Sequence, residues 1–492
     1  MLRRLPLTLG QAIDTTSATP TYMQIIAAIV RDIESGRLAP GTYLPSSREL
    51  AAHIGVNRKT VVLAYDELIA QGWLTSAGTR GTLVSPVYPD PVHKPARLPT
   101  HSAAIGRTDF RVLPPPERPL ALAAGSGLKL DEGAPDGRLF PPKVLASAYR
   151  DAASAGGAAN TFAYRDPLGS PELRESVAEM LRSQRALNIT AENVCITRGS
   201  QNGIFLTAQA LLRPGDHVIV EALTYEPAVA AFAMLGARVH AVPLDAEGID
   251  VAAVESVCRA NRVRALFVTP HHQFPTTVTL RPMRRLRLLD LARQFGFAII
   301  EDDYDHEFHF SSQPLLPMAA YAPEHVIYIG SLSKLLLPAL RVGYVVGSPK
   351  LLRSLAHGIS VTDGMGNVIT EKATSGLISN GELRRHARKV HQIYAGRRLS
   401  FAHRLRETLG PKVQFDLPNG GLAFWLRFPG RDMDAIEARA LALNLRFAES
   451  RSFMASADAE RGLRIGFASL DDAEAEAAVA ALAAAVGDAP LQ

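Results

Sequence analysis

The chain has 492 residues, 47% apolar and 21% charged, a composition that excludes a disordered or fibrous protein and leaves room for about three domains of ordinary size. A net charge of +5 permits contact with nucleic acid without establishing it, and no apolar run approaches the roughly 20 residues of a membrane span. The two cysteines, Cys195 and Cys258, lack CxxC spacing, which excludes a disulfide framework and a zinc site, and the proline-broken start does not read as a signal peptide, so a soluble cytoplasmic protein is expected.

Residues 20–36, PTYMQIIAAIVRDIESG, carry apolar side chains at helical spacing, with Ile26, Ile29, Val30 and Ile33 on one face and Gly36 as a C-terminal stop. The turn LAPGTYLP leads to a short helix, RELAAHIG, which Ser46 or Ser47 caps and Gly55 ends. Asn57 caps a third helix with the stripe Val61, Tyr65, Leu68 and Ile69, broken by Gly72. WLTSAG and GTLVS then read as two short strands about a glycine-rich tip at residues 78–81. Residues 86–121 are proline-rich and aperiodic, a semi-extended linker between a first domain at 1–85 and a second at 122–492. In the second domain the apolar runs HVIVEA, RALFVTP, FAIIEDD and VIYIGSL alternate with helical stretches, the pattern of a mainly parallel sheet buried on both faces. The tail, DDAEAEAAVAALAAAVG, reads as an amphipathic surface helix.

Two helices joined by a tight turn and followed by a hairpin make a winged helix-turn-helix plan, whose second helix enters the major groove. Its first turn presents Asn57, Arg58, Lys59 and Thr60. An arginine fork reads guanine, and Lys59 and Thr60 suit phosphate or base edges. Arg48 opens the preceding helix and Arg80 stands at the wing tip. Each of these cations alone reads as a solvated surface residue, and charge does not separate the two readings, because residues 1–85 hold eight Lys or Arg against six Asp or Glu. The order of the pieces separates them. GRLAPGTYLPSSRELAAHIGVNRKTVVLAYDELIAQGWLTSAGTRGTLVS resembles, end to end, the winged-helix head of the GntR family of bacterial regulators. That resemblance implies contacts to double-stranded DNA at Arg48, Asn57, Arg58, Lys59, Thr60, Arg80 and Gly81.

Further on, SLSKLLLPALR places one cation, Lys334, among apolar neighbours, where partial desolvation eases the loss of charge that a nucleophilic lysine needs. Ser331, Ser333 and Arg341 around it supply hydroxyl donors and a guanidinium fork for a phosphate. Asp302 comes just after the buried strand FAII, at the carboxyl end of a strand, where open α/β sheets place their ligands. ITRGSQNGIF reads as strand, glycine turn and helix start, so Ser200, Gln201 and free backbone N–H groups make an anion site. Singly, each is weak: a lysine after SxS is ordinarily a surface residue, and EDDYD alone also fits an acidic loop or a metal site. In this order they fit pyridoxal 5'-phosphate, PLP, with Lys334 as the Schiff-base lysine and Asp302 paired with the ring nitrogen.

Residues from about 130 to 470 resemble the fold type I, aspartate aminotransferase-like transferases, α/β proteins with a large and a small subdomain, and the whole chain resembles the MocR/GabR type of regulator. EGAPDGRLFP resembles the family's opening segment, and GELRRHARKVHQIYAGRR also fits the MocR group. The resemblance implies that Tyr164, in YRDPLGSPELRESV, reaches the phosphate held by a neighbouring subunit, and that Tyr225, in EALTYEP, stacks on the cofactor ring. It gives Ser200 and Gln201 to the phosphate turn, Asp302 to the ring nitrogen, Tyr304 to the ring oxygen, and Ser331, Ser333 and Arg341 to the phosphate. It implies the Schiff base at Lys334 and, for Arg464 in GLRIGFAS, the carboxylate of an amino-acid effector. Two positions depart from the family. Thr277 replaces a glycine in HQFPTTV, and Phe274 stands where aminotransferases carry an asparagine that bonds the cofactor oxygen, which weighs against efficient catalysis more than against PLP binding. His271 and His272 read as core or surface histidines, with His272 the one in reach of the cofactor site.

The function expected is a homodimeric, PLP-dependent, DNA-binding transcriptional regulator that senses a small amine or amino acid through an aldimine at Lys334. Two alternatives stay open: a competent aminotransferase carrying a DNA-binding head, and a regulator for which PLP itself is the signal.

Overall fold

The computed structural model describes residues 13–14, 17, 19–87, 110–112, 127–154, 162–310 and 315–487. The chain forms two compact units, Met1–Pro114 and Pro115–Gln492. Most of the expected linker at 86–121 lies outside the described residues.

In the first unit, helix α1 spans Thr21–Glu34, α2 spans Ser47–Ile54 and α3 spans Arg58–Ala70. Strands β1, Leu74–Ser76, and β2, Thr82–Val84, pair antiparallel about a short turn at Gly78–Arg80. Ser46, not Ser47, caps α2: its hydroxyl accepts from the Glu49 amide at 3.2 Å while the Glu49 carboxylate accepts from the Ser46 amide at 2.9 Å. Gly55 ends that helix in the left-handed conformation, φ 69°. Ile25, Ile29 and Ile33 of α1, Leu50 of α2, Val61, Ala64 and Leu68 of α3, and Leu74 and Val84 of the hairpin close one small core. The face of α1 is thus centred one residue earlier than its sequence stripe, with Ile26 and Val30 at the rim.

The second unit is built on a seven-stranded sheet. In chain order its strands are β3 (Val194–Thr197), β4 (His217–Glu221), β5 (Arg238–Val242), β6 (Val263–Val268), β7 (Ala298–Asp303), β8 (Val326–Ser331) and β9 (Gly343–Val346). They lie side by side as β3-β9-β8-β7-β6-β4-β5, with only β9 antiparallel to its neighbours. Both faces are covered, which is why the strands read as unbroken apolar runs. Val218, Phe267, Ile300, Ile329 and Val345 belong to the cluster on one face, and Leu266, Ile299, Tyr328 and Tyr344 to that on the other. Strand β7 runs through Asp302 to Asp303, beyond the expected FAII, because both residues stay in register with Ile329 and Gly330 of β8. Helix α4, Gly199–Leu211, follows β3 directly.

The smaller part carries the 28-residue helix α5 (Glu382–Leu409), the antiparallel strands β10 (Ala423–Leu426) and β11 (Leu463–Gly466), and the C-terminal helix α6 (Asp472–Val486). Ala475, Ala478, Val479, Leu482 and Ala485 form the buried face of α6. Residues 128–140 are tied to this part: Leu128 pairs with Leu445, and an Asp131 carboxylate oxygen accepts from the Ser469 hydroxyl. That attachment carries Glu132 and Gly133 to the carboxyl ends of β7 and β8, through the bonds described next.

Candidate functional site

At the ends of β3, β9 and β8, Thr197 pairs with Gly343 and Gly343 with Ser331. The chain enters α4 through Gly199, at φ +77°. A Cβ on Gly343 would fall 2.5 Å from the Gly199 carbonyl carbon and 2.8 Å from the Ser200 nitrogen, so the turn before α4 lies directly on β9. The Arg341 guanidinium flanks that turn and donates to the Arg198 carbonyl at 3.1 Å. Arg341 itself adopts φ 52°, a strained conformation for a side-chain-bearing residue. The Ser333 amide donates to the Ser331 hydroxyl at 3.1 Å, while the buried Ser333 hydroxyl has no partner among the described residues. Ser200 and Gln201 form the first turn of α4, where backbone N–H groups have no intrahelical acceptor.

Lys334 follows this row. It is half-buried and donates from Nζ to the Gly133 carbonyl at 2.7 Å. Burial holds its pKa below the ordinary lysine value, and the Arg464 charge adds to that, against the pull of Asp131, Asp305 and Glu132. Asp302 is 4% exposed and its Oδ1 has no hydrogen-bond partner among the described residues. Burial, with Asp303 and Asp305 nearby, drives its carboxyl far toward the neutral form, and the Lys334 charge alone opposes this.

An aromatic wall stands beside them. Phe274 meets Tyr225 edge-on at 5.3 Å and Tyr304 at 6.1 Å. The Tyr304 hydroxyl donates to the His272 carbonyl at 3.0 Å and accepts from Arg464 Nη2 at 3.1 Å. Arg464, 1% exposed, also donates to the carbonyls of Glu132 at 2.9 Å and Pro275 at 2.8 Å, and its guanidinium lies 4.6 Å from the centre of the Phe274 ring. Among the described residues no carboxylate comes within ion-pair distance of it, so it is a buried cation held by neutral groups. Thr277, where the family has glycine, takes φ 64°, a left-handed conformation that glycine adopts without strain and a β-branched residue does not.

Both histidines are buried. His271 joins Arg185 and Tyr328 around Asp303, and these partners hold the Asp303 carboxyl ionised despite its burial. His272 Nδ1 lies 2.7 Å from Asp305 Oδ1. Tyr164 is 92% exposed and stands outside this cluster within the single chain. A cavity of about 1030 Å³, lined by Thr276, Trp425, Asp416, Arg427 and Asp458 among others, reaches His271 and Thr277 but not Lys334, Asp302, Ser333, Arg341 or Arg464.

In the first unit Arg48, Arg58, Lys59, Arg80 and Gly81 are exposed and Thr60 is half-buried. The Asn57 carboxamide oxygen accepts from the Lys59 amide at 2.9 Å, so that oxygen serves as the cap of α3 and only its NH₂ is free to donate elsewhere. Arg58 Nε donates to the Ser47 hydroxyl at 3.4 Å, which brings the starts of α2 and α3 together on one edge.

Residues 126–482 match the family Aminotransferase class I and II, well over half of the chain. The chain belongs to that family. Residues 21–84 match the bacterial regulatory proteins of the gntR family, giving this aminotransferase-family chain a winged-helix head. It is 29% identical over 93% of its length to the probable rhizopine catabolism regulatory protein MocR of Rhizobium meliloti, 92% of which is covered. It is 31% identical to the HTH-type transcriptional regulator TauR of Rhodobacter capsulatus, over 85% of each chain. Among solved structures, the alpha-aminoadipate aminotransferase of Thermus thermophilus, in complex with N-(5'-phosphopyridoxyl)-L-leucine, superposes with TM-score 0.68 at 30% identity, over 73% of this chain and 92% of that one.

The family's cofactor is PLP, and the residues present fit it. The orphaned Asp302 Oδ1 offers an acceptor for a protonated ring nitrogen. The orphaned Ser333 hydroxyl, the α4 N-terminus and Arg341 offer donors for a phosphate. Sequence reading missed Glu132, Gly133 and Asp305 as members of the site. The first two lie about two hundred residues from Lys334, and no local spacing signals such an approach.

Proposed function

We propose that the chain is a cytoplasmic, homodimeric transcriptional regulator whose head binds an operator and whose body holds PLP at Lys334 and answers to a small amine or amino acid. PLP supplies an aldehyde for which Lys334 and an incoming amine compete. The observation that carries the reading is the joint presence, in one chain, of a gntR-family head and a buried lysine beside an unpartnered acid and an unpartnered phosphate-type donor.

Each residue has a physical task in this reading. Burial keeps the Lys334 amine easier to deprotonate. Asp302 meets the ring nitrogen, Tyr225 stacks on the ring, and Tyr304 meets the ring oxygen. Ser200, Gln201, Ser331, Ser333 and Arg341 hold the phosphate. Arg464, a buried cation without a carboxylate, takes the acid group of the effector. Tyr164 serves the site of the second subunit, which accounts for a tyrosine left 92% exposed in one chain. Arg48, Asn57, Arg58, Lys59, Thr60, Arg80 and Gly81 meet the DNA, Asn57 through its NH₂ group. Phe274 provides an aromatic face where an asparagine would hydrogen-bond, which favours sensing over fast turnover.

The test is a screen of amines and amino acids against the PLP-loaded protein, read by absorbance and by binding to a DNA duplex selected from a random library. An amine that shifts both supports the reading. DNA affinity that follows PLP alone would make the cofactor the signal, and multiple turnover with a keto acid at ordinary enzyme rates would make the chain an aminotransferase.

A further inference from the structure

Besides Asp302, whose place is at the ring nitrogen, Glu132 is an acid of the site that no described residue answers. Its backbone sits between the two cations: its own carbonyl accepts from Arg464 Nε at 2.9 Å, and the next carbonyl, that of Gly133, accepts from Lys334 Nζ at 2.7 Å. Two neighbouring acids have partners. Asp131 accepts from the Gly133 and Ala134 amides and from the Ser469 hydroxyl, and Asp305 faces His272. The Glu132 side chain is half-buried and, among the described residues, its carboxylate makes no hydrogen bond and no ion pair.

The Glu132 carboxylate lies within reach of the charges of both cations. Burial raises its pKa, and the Arg464 and Lys334 charges oppose that rise. Burial raises the pKa of Tyr225, a residue of a different loop, and the charges of Asp302 and of this carboxylate add to that rise. A half-desolvated acid without a partner is costly, and a cation seated against it recovers that cost through a charge-assisted hydrogen bond. Arg464 presents the opposite case, a buried cation without an acid, yet the two make no ion pair with each other.

Resting on the proposed function, we infer that Glu132 selects the effector, which is an amino acid bearing a second cationic group: its carboxylate lies on Arg464, one amine competes with Lys334, and the second ammonium lies on Glu132. A dicarboxylic amino acid is disfavoured there, because its second acid would meet a like charge.

The test uses the full-length PLP-loaded protein and four probes: L-lysine and L-ornithine, which carry the second ammonium; L-norleucine, which matches lysine closely in shape without that charge; and L-glutamate. Dissociation constants are measured by calorimetry and by absorbance. The wild-type chain should prefer lysine or ornithine to norleucine by tenfold or more, as loss of one charge-assisted bond requires, and bind glutamate more weakly still. Glu132→Gln, with PLP absorbance intact as proof of folding, should bring lysine and norleucine together. Equal binding of lysine and norleucine to the wild type, or a preference that survives Glu132→Gln, overturns the role of Glu132 and leaves the amine-sensing reading standing. A spectrum unmoved by these probes and by every other amine overturns both.

Discussion

A carboxylate taken out of water loses hydration worth several kcal/mol unless partners replace it. Neighbouring acids on β7 meet that demand differently. Asp303 is surrounded by Arg185, His271 and Tyr328 and stays ionised. Asp302, one residue earlier and on the other face of the strand, has an oxygen with no partner and is driven toward its neutral form. The first acid is held by protein partners, and the second keeps an oxygen that no described residue occupies. Glu221 gives a pH test of the same physics. It is buried at the end of β4, accepts from Gln273 at 3.1 Å, and burial pushes its carboxyl up to about 8 from an ordinary 4.5. An acid whose folded pKa is the higher one binds its proton more tightly when folded, so its contribution is full below the unfolded value and declines as pH rises toward the folded one. Glu221→Gln should therefore run parallel to the wild type in thermal unfolding below about pH 4.5 and gain on it progressively up to about pH 8. Curves parallel over the whole range would show that Glu221 carries no such slope. At the DNA face, Arg58→Ala should cost about 1–3 kcal/mol of binding to a library-selected duplex if the side chain reads a base. An unchanged affinity and footprint would remove it from the contact set.

At the scale of elements, the proposed phosphate cradle depends on two pieces of backbone touching. The turn at Gly199 and Ser200 rests on Gly343 with no room for a methyl group. Gly343→Ala should destabilise the body by about 1–3 kcal/mol through overpacking and lower its affinity for PLP by pushing the α4 N-terminus outward. Urea unfolding and PLP titration check the two effects separately, and a variant with unchanged PLP affinity would show that the turn does not hold the phosphate. Capping and periodicity of α2 and α3 were legible beforehand, because Ser46, Gly55 and Asn57 act within a few residues of themselves. The exact end of β7 was not, because the pairing of Asp302 and Asp303 with β8 decides it.

For the whole molecule, the sensing reading requires that the body's chemistry and the head's DNA contact be separable. Lys334→Ala should abolish the lysine-linked PLP absorbance while the full chain still binds a library-selected duplex, with the response to amines lost. Retained absorbance would assign the linkage to another residue, and a response to amines in this variant would place the sensor elsewhere.

The order of motifs along the chain determined the winged-helix head, the sheet class of the body, and Lys334, Asp302 and Arg341 as candidates for the site, because each lies in a local pattern of strand end, turn or helix start that carries its own chemistry. Only the tertiary structure decided that Glu132 and Gly133 stand beside Lys334 and Arg464, that Phe274 fills the aromatic wall, and which of two adjacent aspartates is left unpaired. Those outcomes depend on side chains far apart in sequence competing for the same buried partners, and that competition leaves no periodic trace in the sequence.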